Sequence, residues 1–261
     1  MSIVAITVLG SGSKGNATVI HTKDSALLVD AGFSRTDMLN RLFRAGIDTS
    51  SIKGLIITHD HSDHIKGARL IADHLGVNTY AACLPADKDR ARQQFGAKPE
   101  RFIPGDDFVI DVFHVQSFPI PHDATNPVGF VIQVENKRIG IATDMGHIST
   151  SIKSHLSGCD AIIIESNHDI SMLQESNRPQ ILKNRISGEL GHLNNTDTIN
   201  SFDELFNDRT QAVILCHLSD ECNCPDKVAI LAEKKLKQMG RNDIHLSVTK
   251  QHEPLNTVWI A

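Results

Sequence analysis

The chain has 261 residues, 40% of them hydrophobic and 22% charged, a balance that supports a large apolar core. Its net charge of −5 argues against non-specific nucleic-acid binding through a broad basic face, while leaving room for a local basic channel. No apolar run approaches the ~20 residues of a membrane span. The N-terminus lacks the basic flank and cleavage site of a signal peptide, so the expectation is one domain, residues 1–261, in the cytoplasm and away from membranes.

Ser2 to Leu9 reads as a first strand. Gly10-Ser11-Gly12-Ser13-Lys14-Gly15 then fits G-x-G-x-x-G, with Asp30 twenty residues past the first glycine. A dinucleotide-binding unit needs a helix directly after the glycines. Here Ala17–His21 is β-branched, 22–25 is a turn, and Ala26–Asp30 is another strand, so a nicotinamide site is rejected. The loop's backbone N–H groups are left as candidate anion contacts. Met38, Leu39, Leu42 and Phe43 have helical spacing within a helix from Arg35 to Ala45. Arg35, Arg41 and Arg44 on that helix, and Lys88, Arg90 and Arg92 on a later one, read as solvated faces rather than phosphate tracks.

The apolar run Gly54–Ile57 leads into Thr58-His59-Asp60-His61-Ser62-Asp63-His64. His59, His61, Asp63 and His64 put three imidazoles and a carboxylate within six residues. A buried strand ending in such a loop is a metal-ligand pattern, because His and Asp bind zinc and similar transition metals. A helix is expected from His64 to His74. Further along, His122 follows a strand, Asp144 ends Arg138–Thr143, Glu165 and His168 follow Ala161–Ile164, and His217 ends Gln211–Cys216. Polar residues that repeatedly terminate buried strands indicate a site at one sheet edge. The glycine-spaced segment 188–196 carries His192 just before a helix opening at Asn195, and a last helix spans Asp226–Met239. The alternation of strand and helix predicts an α/β fold with central sheets and outer helices. Five scattered cysteines suit reduced thiols, and the one-residue spacing of Cys222 and Cys224 is poor for a zinc knuckle.

In this order, Asp30, the His59–His64 cluster, His122, Asp144 and His217 resemble the metallo-β-lactamase superfamily over essentially the whole chain. The resemblance implies an αββα sandwich: two mixed sheets face to face, helices outside, metals at one edge. It implies two divalent metal ions. His59, His61 and His122 would hold one, Asp63, His64 and His217 the other, and Asp144 would bridge them. Asp30 would brace the ligand loop from outside the coordination sphere. A His/Asp set without thiolate suits zinc, manganese or iron, with zinc the first choice.

His61 stands where flavin-linked di-iron members carry Glu, and Asp144 where many β-lactamases carry Cys. Both differences point to hydrolase branches. Glu165–Asp169, Gly191-His192-Leu193 and Cys216–Ser219 together most resemble the YycJ/WalJ-like branch, described as metal-dependent DNA exonucleases. That implies a phosphodiester hydrolase with DNA as its substrate, acting 5′-to-3′. Asp63 and His192 carry the catalytic expectations. His192 is similar in place to a histidine of tRNase Z-like members, suited to bind phosphate or protonate the leaving oxygen. His168 is a further candidate for substrate contact. The competing readings are a small-molecule hydrolase, of a thiolester as in glyoxalase II or of a cyclic phosphodiester, and a metal-bound protein without catalysis. The complete ligand set argues against the last.

Overall fold

The computed structural model describes residues 3–261, so Ser2 of the expected first strand lies outside the described residues. The first sheet is built from β1 (Val4–Gly10), β2 (Ala17–His21), β3 (Ala26–Val29), β4 (Ile52–Ile57), β5 (Asn78–Ala81) and β6 (Pro99–Arg101). The second takes β7 (Asp107–Ile110), β8 (Phe113–Pro119), β9 (Val128–Val134), β10 (Lys137–Ala142), β11 (Ala161–Glu165), β12 (Ala212–Cys216) and β13 (His245–Val248). The last strand, β14 (Val258–Ile260), returns to the first sheet and pairs with β1. The strand orders are β14-β1-β2-β3-β4-β5-β6 and β13-β12-β11-β10-β9-β8-β7.

Each sheet is antiparallel in one half and parallel in the other. β3 to β6 run parallel, as do β10 to β13. Parallel strands are covered on both faces and read as unbroken apolar runs, and β11 and β12 are buried throughout. Alternation then divides their side chains between layers. Ile163 and Ile214 enter the core between the sheets with Ile6, Ile56, Phe130 and Ile141. Ile162, Ile164, Val213 and Leu215 face outward against Ile152, Leu156, Phe202, Val228 and Leu236 from covering helices. Met38, Leu42 and Ile71 cover the first sheet through Leu28 and Leu55. The result is the αββα sandwich. Among the described residues no helix is long and apolar enough to cross a membrane.

Several local expectations need correction. The helix expected from His64 to His74 is two pieces, Ser62–Ile65 and Ala68–Leu75. The chain breaks at Gly67, whose N–H donates to Ala31 O at 2.8 Å, and where a Cβ would stand 2.0 Å from Phe33 O. Arg41 is not on a solvated face. Its guanidinium lies 3.8 Å over the Phe33 ring and donates to Leu9 O at 2.6 Å, so this cation ties the first long helix to the end of β1. Phe43 falls off the buried stripe and is exposed. The strand, glycine loop, hairpin order at residues 4–29 is as read, and the cysteines are all free.

Candidate active site

The parallel strands deliver the polar residues to one edge, and the backbone turns sharply there. Asp30 just after β3, Asp144 after β10 and His217 after β12 have φ of 61°, 58° and 55°. Left-handed backbone is uncommon outside glycine and costs about 1–3 kcal/mol where it is held. It ends the strand and turns each side chain into the cluster.

Asp30 organises the loop after β4. Its carboxylate accepts from Thr58 N at 2.9 Å, from Thr58 Oγ1, and from His64 Nδ1 at 2.8 Å. His64 Nε2 is thereby aimed at Asp144 Oδ2, 3.2 Å away, and at Asp63 Oδ2, 3.6 Å away. His122 Nδ1 donates to Gly191 O at 3.1 Å, leaving Nε2 3.3 Å from His61 Nδ1. His217 Nδ1 donates to Glu165 Oε1 at 2.9 Å, and its Nε2 lies 3.5 Å from Asp63 Oδ2. In each case one ring nitrogen is fixed by a neighbour and the other faces the cluster, which sets the tautomer.

Glu165 is the hub that the sequence reading left without a role. It is fully buried at the end of β11. Its Oε1 accepts from His192 Nδ1 at 2.8 Å as well as from His217, and its Oε2 from Met145 N at 2.8 Å and Leu193 N at 3.1 Å. Burial works to raise its pKa, but the imidazoles of His192 and His217 hold it down at about 2. Burial likewise works against the imidazolium of His217, yet Asp144, Asp63 and Glu165 push it up to about 10. His59, with burial dominant and other imidazoles around it, is held well below its ordinary range.

Donor atoms in four overlapping groups lie within 4.8 Å of one another: His59–His61–His122, Asp63–His64–His217, His59–His64–Asp144 and Asp144–Glu165–His192–His217. Three buried atoms there, His59 Nε2, Asp144 Oδ2 and His217 Nε2, make no well-aligned hydrogen bond in the protein, despite the ion-pair approaches of Asp144 to His64 and of His217 to Asp63. Leaving such groups unsatisfied costs about 1–3 kcal/mol each. Imidazole and carboxylate atoms with no well-aligned partner, converging from separate strands, fit divalent cations.

All seven residues expected as ligands therefore meet, with Asp30 behind them and His192 beside them. His168 lies deeper, 2% exposed, with its Nδ1 unpaired. Three amides of the glycine loop are not free for an anion. Gly12 N donates to Asn16 Oδ1, Lys14 N to Gln251 Oε1 and Gly15 N to Gly12 O, so these amides already have partners. The loop instead places Asn16, whose Nδ2 lies 3.0 Å from His64 Nε2 and 3.3 Å from Asp63 Oδ2. Asn16 was missed because its role depends on a contact across 47 positions of sequence.

Residues 10–217 match the model of the metallo-beta-lactamase superfamily. The chain belongs to that superfamily. It is similar to exodeoxyribonuclease YycJ of Bacillus anthracis, 31% identical over 238 residues that cover 90% of this chain and 89% of the relative. It is also similar to exodeoxyribonuclease WalJ of Streptococcus pneumoniae serotype 2 (strain D39), 29% identical with coverage of 89% and 88%. Among solved structures, the metallo-beta-lactamase fold protein YhfI from Bacillus subtilis superposes with a TM-score of 0.73 at 17% identity, covering 98% of this chain and 99% of that one. Superfamily membership and the His/Asp cluster together mark a metal-dependent hydrolase.

Proposed function

We propose that the protein is a two-metal phosphodiesterase that degrades DNA from an end, 5′-to-3′, in the cytoplasm, with residues 1–261 working as one domain. The observation that carries this is His192. Its Nδ1 is held by Glu165, and Glu165 also holds His217. A candidate proton donor and a candidate metal ligand thus share one carboxylate. That arrangement would place the proton donor beside the residues that would hold the cations. The names of the relatives YycJ and WalJ, both exodeoxyribonucleases, support the same substrate.

In this reading His59, His61 and His122 would hold one cation and Asp63, His64 and His217 the second, with the Asp144 carboxylate available to both. Divalent cations, zinc first and manganese or iron next, supply Lewis acidity toward phosphoryl oxygen and acidify water to a nucleophile near neutral pH. Asp30, Gly191 O and Glu165 accept hydrogen bonds from Nδ1–H of His64, His122 and His217, so each Nε2 faces the cluster and would bind a cation once it has lost its proton. His192, with Nδ1 bound to Glu165, presents Nε2 to the substrate and gives a proton to the departing oxygen. His168 would contact substrate only if its surroundings yielded, because its side chain is 2% exposed.

The test uses protein loaded separately with zinc and with manganese, on end-labelled duplex DNA, single-stranded DNA and RNA, with His64→Ala as control. Progressive shortening of DNA from the 5′ end, absent in the variant, is expected. Intact polymers under every metal would refute the reading and turn attention to thiolesters and cyclic phosphodiesters.

A further inference from the structure

β5 and β6 run parallel to β4, so their C-terminal ends emerge at the edge that carries His59. Two interstrand spacings, about 10 Å, separate β6 from β4. Beside β6, one of the two edge strands of the first sheet, a cavity of about 540 Å³ opens against residues 84–92. Lys88, Arg92, Lys98 and Arg101 line it, and Glu100 is its one carboxylate. Residues 84–101 hold five cations against three carboxylates, within a chain of net charge −5.

The neighbouring acids do little to neutralise these cations. Asp87 caps the helix Lys88–Phe95 by accepting from Arg90 N at 2.8 Å. Asp89 lies 3.8 Å from Arg92, with both side chains in solvent, where such a pair is worth little. Lys98 gives one hydrogen bond to Gly76 O at 3.1 Å and keeps two protons. Lys88 has no ion pair among the described residues. Arg101 faces inward to the backbone. Its guanidinium binds the carbonyls of Ala82, Leu84 and Pro85 and pins that wall.

The cavity is joined to the ligand loops by direct contacts. Ala82 O accepts from Arg101 Nη1 and from Asn126 Nδ2, at 3.4 and 3.3 Å. Next to Asn126, Thr125 N donates to Asp60 Oδ1 at 3.0 Å, inside the His59–His64 loop. Arg101, at the C-terminal end of β6, is therefore tied to the ligand loop, while Lys98, at the N-terminal end of that strand, lies about 10 Å further along it.

We propose that this cavity is a docking site for the phosphodiester backbone of the substrate strand. Lys88, Arg92 and Lys98 neutralise phosphates beyond the one at the metal cluster. Contacts of this kind hold and orient a strand without reading its bases. They also give an acidic protein a local foothold on a polyanion. The proposal rests on the nuclease reading.

The experiment compares the metal-loaded wild type with the triple variant Lys88→Ala/Arg92→Ala/Lys98→Ala and with Arg90→Ala, a cation of the same helix that does not line the cavity. Digestion of end-labelled single-stranded DNA is followed from about 50 to 200 mM salt, the range over which phosphate contacts weaken strongly. Hydrolysis of bis(p-nitrophenyl) phosphate, too small to span both sites, is the internal control. The triple variant is expected to raise KM for DNA by about tenfold or more and to lower the slope of log KM against log salt by about 2, from three contacts at ~0.7 each. Its rate on the small diester should match the wild type, and Arg90→Ala should match it throughout. An unchanged KM and salt slope in the triple variant, or an equal effect of Arg90→Ala, overturns the docking site. A wild type that hydrolyses the small diester but leaves DNA intact overturns the nuclease reading itself, and the docking site with it.

Discussion

Replacing Glu165 by Gln tests whether one carboxylate sets two imidazoles. Each oxygen of Glu165 accepts from two donors: the His192 and His217 Nδ1 groups at Oε1, the Met145 and Leu193 amides at Oε2. An amide in either orientation turns its NH2 toward one of those pairs. Two buried donors then lose their acceptor, at about 1–3 kcal/mol each, or roughly 2–6 kcal/mol in total. If the NH2 faces the imidazoles, they can relax by giving up Nδ1–H, but that moves the proton to Nε2 and removes the lone pair that His217 would offer a metal. If it faces the amides, the mismatch stays in the backbone beside Asp144. The first outcome lowers metal affinity by about 10–100-fold, the usual effect of losing a residue that orients a ligand. The second lowers the melting temperature by at least ~4 °C for a chain of this length. Calorimetry of the metal-free protein and chelator competition for the second metal separate the two. A Glu165→Gln protein that melts with the wild type and binds two metals as tightly would refute the reasoning.

Three further outcomes are expected. Asp63→Ala or His64→Ala should leave one tightly held metal per chain by elemental analysis and abolish nearly all hydrolysis; full activity with verified metal content would exclude a two-metal scheme. Gly32→Ala should destabilise by about 3 kcal/mol or more, because its Cβ would stand 1.7 Å from Asp63 O, a backbone atom that cannot rotate away. A denaturant midpoint unchanged from the wild type would contradict that. Burial pushes the Cys83 thiol up to about 12 and Cys159 to about 11, and Cys224 alone is not buried. Mass spectrometry after brief alkylation of the native protein at neutral pH should find the label on Cys224, and label on Cys83 or Cys159 would show that the core opens.

What was legible in the sequence is what depends on short-range pattern. Buried parallel strands announce themselves as apolar runs, and a His or Asp at the end of such a run is conspicuous because nothing in a sheet core explains it. That is why Asp144, Glu165 and His217 stood out before their partners were known. The break at Gly67 was not legible, since it comes from Phe33 O pressing on the backbone from another element. Nor was the burial of Arg41, which needs both the Phe33 ring and the Leu9 carbonyl in place.

The candidate site follows the same division. The cluster at His59–His64 is local, but His64 is oriented from a distance by Asp30, 34 positions back, as is His122, outside the cluster, by Gly191, 69 positions ahead. Glu165 links His192 and His217 across intervals of 27 and 52. A ligand set can be recognised by residue type, because the metal's preferences are carried by single side chains. The proton positions that make those side chains competent belong to pairs, and pairs form only when β3, β4, β10, β11 and β12 end at the same edge. The left-handed turns at Asp30, Asp144 and His217 are the point where the two meet. Backbone energy is given up there so that strands ending side by side present their polar residues to one small volume.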